Sequence, residues 1–173
     1  GRRRLIPPDD RGLTVGDGVF ETVLAEAERL VCFERHLARL EAGARVLGLP
    51  APDRGEVEAA ARRALGDSGL GEERAAVRLT WTAGSGGRGL DRPAQLQPRL
   101  AVTCARAPRP EAPAQLIVAS VRRNEGSPAS RCKTLAYLDN VLARREALDA
   151  GADEAVMLNN AGALACAAAA NLF

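Results

Sequence analysis

The sequence predicts an α+β protein in two parts, and three observations predict it. Runs of strand-forming residues alternate with runs whose apolar residues recur at helical spacing. A stretch with three prolines and no periodicity, Ala107 to Pro113 (APRPEAP), lies between two such sets and reads as an interdomain linker. The length of 173 residues, 46% apolar and 27% charged, suits one ordinary domain or two small ones. The predicted division is a small α+β domain over 1–106, a linker over 107–114 and a second domain over 115–173.

Taken in order, Gly1 to Gly16 carries Pro7-Pro8-Asp9-Asp10 and Gly12, which is turn chemistry rather than a regular element. Val19 to Ala25 is a strand paired with Leu30 to Phe33 through the polar connection Glu26 to Arg29. Leu37, Leu40, Ala44 and Leu47 recur at helical spacing and predict a helix over Glu34 to Leu47. A second helix starts at the N-cap Asp53, with Glu56 three residues on, buries Val57, Ala60, Ala61, Ala64 and Leu65, and ends at Gly66. Ala75 to Thr82 and Leu100 to Cys104 are strands, with the loop Gly84-Ser85-Gly86-Gly87-Arg88-Gly89 between them. After the linker come a strand over Leu116 to Val121, a polar loop over Gly126 to Arg131, and a helix whose face is Leu138, Val141, Leu142 and Leu148, closed by Gly151. Glu154 to Leu158 and Ala163 to Cys166 form a hairpin around Asn159-Asn160-Ala161-Gly162, and another strand begins at Phe173.

The bulk numbers exclude several classes of function. Net charge is only +2, with arginines scattered among acidic residues, so there is no basic stripe for a nucleic acid backbone. The longest apolar stretch, Ala163 to Ala170, is far short of a bilayer span, and the chain opens without a signal-like segment; a soluble cytoplasmic protein is expected. Cys32, Cys104, Cys132 and Cys166 are widely spaced, and one histidine, His36, leaves too few partners for zinc. No metal is expected.

One number stands out: of 24 basic residues, one is lysine and the other 23 are arginine. That lysine is Lys133. A guanidinium stays protonated and is no nucleophile at neutral pH, whereas an amine can be. Lys133 is therefore either a position where amine chemistry is needed or the stray lysine of an arginine-biased composition.

Four blocks, in order, are Asp10 to Thr22 (DRGLTVGDGVFET), His36 to Leu40 (HLARL), Lys133 to Leu148 (KTLAYLDNVLARREAL) and Asp153 to Phe173 (DEAVMLNNAGALACAAAANLF). Together they resemble the successive signature blocks of the class IV aminotransferases, a family of branched-chain aminotransferases, D-amino-acid aminotransferases and aminodeoxychorismate lyases. The resemblance implies a two-domain fold like that of the D-amino-acid aminotransferases. Its small α+β domain and larger domain hold pyridoxal 5'-phosphate between them, and residues 115–173 form the first part of the larger one. It also implies a homodimer, and a family chain that continues well past the equivalent of Phe173; the start without Met is that of a trimmed fragment.

Residue by residue, the resemblance makes Lys133 the amine that holds the cofactor as a Schiff base and then moves protons at the substrate's α-carbon. Arg39 takes the place of the phosphate-binding arginine, suited to a phosphate dianion by its bidentate guanidinium; on its own, without the resemblance, it reads as part of a solvated helix face with Arg35. His36 in the same block reads as a structural helix residue. Ala167 and Ala168 match a turn whose backbone N–H groups hold phosphate, or else pack tightly as small residues do. Cys166 departs from the family, which has a glutamate there to pair with the pyridine nitrogen; a neutral thiol is a weak partner for a pyridinium. Phe20 is a substrate-facing wall, Glu21 beside it is structural, and Tyr137 lies just beyond the lysine, near the cofactor.

The loop Gly84 to Leu90 resembles the arginine-bearing glycine-rich loop of aminodeoxychorismate lyases, where the D-amino-acid enzymes have a histidine at the position of Leu90. Arg88 is then a ligand for a substrate carboxylate, or else a surface cation. The resemblance implies an enzyme acting on a small amine or amino-acid substrate, first of all an aminodeoxychorismate-lyase-like one that yields 4-aminobenzoate and pyruvate. Two alternatives stand beside it: a transaminase for branched-chain or D-amino acids, and a degraded protein that binds the cofactor without catalysis.

Overall fold

The computed structural model describes residues 6–109 and 111–172. The strand expected at Phe173 lies outside the described residues, as do the first five residues of the opening stretch and Pro110 of the linker. The chain forms two compact units, one running to Pro108 and taking in Cys132–Ala136, the other made of Arg109–Arg131 and Tyr137–Phe173. The assignment of all of 115–173 to one domain is thus not what is observed: the five residues around the lysine return to the first unit.

The first unit is an antiparallel sheet in the order β2-β1-β3-β4, with β1 Gly18–Glu26, β2 Arg29–Leu30, β3 Arg74–Thr82 and β4 Arg99–Arg106. Side chains alternate between faces along a strand. Val19, Glu21, Val23 and Ala25 of β1 lie opposite Trp81, Leu79, Val77 and Ala75 of β3 and share a face. The helices α2 Phe33–Val46 and α3 Arg54–Asp67 pack on the sheet, and Val23, Leu37, Val57, Ala61, Leu65, Val77 and Leu79 form one buried cluster. Each of its fully buried Leu or Val side chains contributes about 1.5–3 kcal/mol of transfer free energy.

The local signals are good guides in this unit, with small departures. The Asp53 side chain accepts the Glu56 N–H at 2.8 Å and opens α3, which runs to Asp67, one residue past Gly66. Ala60 and Ala64 are only half-buried. The hairpin closes through Ala27 and Glu28, both with positive φ, so Phe33 is released to begin α2 rather than to end a strand. The opening stretch is not all turn: α1 Arg11–Thr14 is one helical turn capped by Asp10, whose carboxylate accepts the Gly12 N–H at 2.8 Å.

The second unit is a three-stranded sheet in the order β5-β6-β7, with β5 Leu116–Val118, β6 Glu154–Leu158 and β7 Leu164–Ala167. β5 and β6 are parallel, and the crossover between them carries the helix α4 Leu138–Asp149; β6 and β7 form an antiparallel hairpin. The predicted face of α4 is the wrong one. Asn140, Ala143 and Ala147 are buried, while Leu138, Val141, Leu142 and Leu148 are exposed. Small residues let the helix backbone approach the strands closely, so the alanines, with Ala119, Ala155, Met157 and Ala168, make the cluster. Asn140 joins them by donating from Nδ2 to the Ala168 carbonyl at 2.9 Å.

Candidate active site

Lys133 is fixed to the first unit by main-chain bonds. The Phe20 N–H donates to the Lys133 carbonyl at 2.9 Å and the Leu135 N–H to the Gly18 carbonyl at 2.9 Å, so Thr134 bridges antiparallel to Val19. The segment is in effect a short added strand on the β1 edge. Residues directly opposite in such a pair point to the same face, which puts the lysine amine with the ring of Phe20. Nζ lies 4.1 Å from the ring centroid, in the range of a cation–π contact. The guanidinium of Arg78 lies over the same ring at 3.7 Å. Gly18 permits this approach: a Cβ there would stand 2.6 Å from the Trp81 carbonyl oxygen and 2.7 Å from Leu135 Cδ1. Lys133 is half-buried and Phe20 buried.

Glu21, the next residue along β1, points to the other face by the pleat, and its side chain is wholly buried. It receives Arg39 Nε at 2.5 Å on Oε1, Arg39 Nη2 at 2.6 Å on Oε2, and His36 Nδ1 at 2.8 Å on Oε2. His36 and Arg39, three residues apart on α2, reach the same carboxylate because helix positions i and i+3 are neighbours. Burial alone would raise the pKa of Glu21, but the hydrogen bonds from Arg39 and His36 override it and hold the carboxyl below its ordinary range. An ionised carboxylate only accepts, so Nδ1 of His36 carries the proton. The Arg39 side chain is 53% exposed. It is neither an ordinary solvated residue nor a buried one: its Nε and Nη2 edge is clamped on Glu21 while the side chain as a whole stays about half exposed.

Arg88 sits exposed on the loop between β3 and β4, its carbonyl accepting the Asp91 N–H at 3.1 Å. The other candidates belong to the second unit. Tyr137 is the half-buried residue before α4. Cys166 on β7 is half-buried and packs against the alanine cluster. Ala167 and Ala168 are buried. The Ala168 N–H donates to the Ala155 carbonyl at 2.9 Å and the Ala169 N–H to Glu154 Oε2 at 3.1 Å. These bonds correct the expectation that Ala168 offers its N–H to phosphate, and a carboxylate at the turn opposes an anion there. Among the described residues no three His, Cys, Asp or Glu side chains gather as a metal site.

Two residues of this region are not marked as such by the sequence. Arg78 stands in no motif, although strand pairing finds it: Phe20 pairs with Thr80 and Thr22 with Arg78, so Phe20 and Arg78 share a face as diagonal neighbours. Glu21 reads only as structural, and the spacing of His36 and Arg39 is the signal that both can turn to one partner.

The family model for amino-transferase class IV matches residues 18–173. The bifunctional aminodeoxychorismate lyase / D-amino acid transaminase of Mycobacterium tuberculosis is 29% identical over 91% of this chain and 56% of its own length. The crystal structure of 4-amino-4-deoxychorismate lyase from Pseudomonas aeruginosa shares 32% identity at a TM-score of 0.79, covering 97% of this chain and 62% of that one. The fold IV-transaminase from Curtobacterium pusillum matches at a TM-score of 0.79 and 26% identity, covering 95% of this chain and 57% of that one. The chain thus spans less than two thirds of the length of each of these relatives.

Proposed function

We propose, since this chain belongs to the class IV aminotransferase family, that the protein it forms is a pyridoxal-phosphate enzyme with the cofactor held by Lys133. The family depends on that cofactor, and the chain has its mixed α/β fold. The observation that carries the proposal is the placement of the chain's one lysine beside Phe20, on the short segment that pairs with the edge of β1. The cofactor asks for an amine and for a cation able to bind phosphate, and the first unit supplies Lys133 and Arg39.

When bound, pyridoxal phosphate supplies a carbonyl for amines to join and a ring that draws electrons from the substrate's α-carbon. Lys133 holds it and then carries the α-proton as general base and acid. Arg39, oriented by Glu21, binds the phosphate. Phe20 walls the reacting side and keeps water from it, and Arg88 takes a substrate carboxylate.

The activity proposed first is that of an aminodeoxychorismate lyase, which releases pyruvate and leaves 4-aminobenzoate. It is supported by the likeness to the Pseudomonas lyase and by a thiol at Cys166, where a weak partner for the ring nitrogen suits an elimination better than amino transfer. Amino transfer to a keto acid is the second reading, supported by a Mycobacterium relative named for both reactions. The same proposal includes a cytoplasmic homodimer. The test supplies full-length protein with 4-amino-4-deoxychorismate and, separately, with L- and D-amino acids plus a keto acid. Pyruvate and 4-aminobenzoate should form faster than new amino acid. The reverse order establishes the transaminase, and neither reaction despite bound cofactor leaves a non-catalytic binding protein.

A further inference from the structure

Arg11 is the one buried lysine or arginine among the described residues, at 5% exposure, and no role proposed so far uses it. Its Nε donates to Asp17 Oδ2 at 3.0 Å. The rest of the guanidinium is directed at the loop that bears Arg88. Nη2 donates to the Leu90 carbonyl at 2.9 Å and Nη1 to the Asp91 carbonyl at 3.0 Å, with longer contacts from Nη1 to the carbonyls of Gly89 at 3.4 Å and Gly86 at 3.5 Å. Four loop carbonyls therefore surround one internal cation.

This arrangement explains the glycines. Gly86, Gly87 and Gly89 all have positive φ, at 104°, 82° and 60°, the conformation that lets successive carbonyls turn inward. A Cβ on Gly87 would collide with the Asp91 carbonyl oxygen and stand 3.1 Å from Arg11 Nη1. A phosphate cradle needs backbone N–H groups pointing inward, and in this loop it is carbonyls that do so. The glycine-rich loop is built around a cation of the protein's own.

The same segment grips the loop at both ends. The Arg11 N–H donates to the Gly84 carbonyl at 2.9 Å, and Ser85 Oγ donates to Asp9 Oδ1 at 3.1 Å. At the far end Arg92 donates from Nε and Nη2 to Asp17 at 2.9 and 2.6 Å. Asp17 thus balances two guanidinium groups. Burial would raise its pKa, and the hydrogen bonds from Arg92 and Arg11 override this and hold it below the ordinary range, so the buried charge is paired.

We infer that Arg11 is a positioning residue, an internal cation around which Gly86–Asp91 folds, and that it sets from beneath where Arg88 stands. The consequence for catalysis rests on the reading of Arg88 as a substrate contact; the ordering of the loop does not. A lysine could not replace Arg11, because a single ammonium cannot reach carbonyls along two edges of a planar fork.

The test compares Arg11→Lys with wild type in full-length, cofactor-loaded protein. Amide exchange over 86–91 and tryptic cleavage after Arg88 should each quicken about tenfold or more, while exchange in β1 and β3 stays as it was. KM for a carboxylate-bearing substrate should rise about tenfold with kcat within about twofold, the signature of lost binding rather than lost chemistry. Unchanged exchange and cleavage at the loop overturn the inference. A loosened loop with KM unmoved both in Arg11→Lys and in Arg88→Ala upholds it and overturns the substrate role of Arg88 instead. Should Arg11→Lys lose protection in β1 and β3 as well, Gly87→Ala, which keeps the arginine but crowds the Asp91 carbonyl, must quicken the same loop amides, and its failure to do so overturns the inference equally.

Discussion

Glu21 and Arg39 form a two-pronged ion pair, 2.5 and 2.6 Å long, between a wholly buried strand carboxylate and a helix guanidinium that is half in solvent. Its sequence separation of 18 makes it a tertiary clasp between β1 and α2. Removing Arg39 leaves the buried carboxylate with His36 alone to offset its charge.

The pair makes stability depend on pH in a definite direction. The Glu21 carboxyl has a lowered pKa in the folded protein, so between that value and the ordinary carboxylate range the unfolded chain binds more protons than the folded one. The stabilisation is complete above the ordinary range and is lost as pH falls through the lowered value. Glu21→Gln should be less stable at neutral pH by about 1–3 kcal/mol, the cost of unsatisfied buried groups. It should also lose less stability than wild type on acidification. Urea midpoints measured from about pH 3 to pH 7 check both, and parallel curves for the two proteins would assign the acid response to other carboxylates.

Arg39→Ala should weaken pyridoxal-phosphate binding by about 1.5–3 kcal/mol, the range for a hydrogen bond to a charged group. Since the substitution also leaves the buried Glu21 with His36 alone, Arg39→Lys is the companion: it keeps the charge but loses the bidentate fork and should fall between wild type and alanine. Titration of the cofactor absorbance measures the affinities. Equal affinity in all three proteins would mean that Arg39 serves only to neutralise Glu21.

Asn140 should matter more than the leucines around it on α4. Asn140→Ala removes the bond to the Ala168 carbonyl and a longer one from Arg123 Nη1 at 3.3 Å, and should destabilise by about 1–3 kcal/mol. Leu142→Ala, at an exposed position, should change the stability of the 173-residue chain by no more than about 0.5 kcal/mol. Denaturant midpoints decide it; a larger loss at Leu142 would show that α4 buries the face the periodicity suggests.

What the sequence makes legible follows from how local each cause is. The Asp53 cap and the helical recurrence of Leu37, Leu40 and Ala44 act within a few residues, and those elements form where they are expected. The hydrophobic stripe of α4 fails because the sheet beneath it selects small residues: closeness of approach, set by Ala143 and Ala147, outweighs the apolar surface of Leu138, Val141 and Leu142. The return of residues 132–136 to the first unit is not legible, since main-chain N–H and carbonyl groups make it and these carry no residue identity. Arg39 is legible by resemblance, but its anchor is not. Docking α2 on β1 is what brings Glu21 to it.

The measurement that bears most directly on the role of Lys133 is the site of reductive attachment of the cofactor. Full-length protein loaded with pyridoxal phosphate, reduced with borohydride and digested, should carry the label on the peptide containing Lys133, since that is the chain's one lysine and its amine lies 4.1 Å from the Phe20 ring centroid. Lys133→Arg, which retains the charge but not the nucleophile, should carry no label. Label on another peptide of the wild type, or none after loading, contradicts the account.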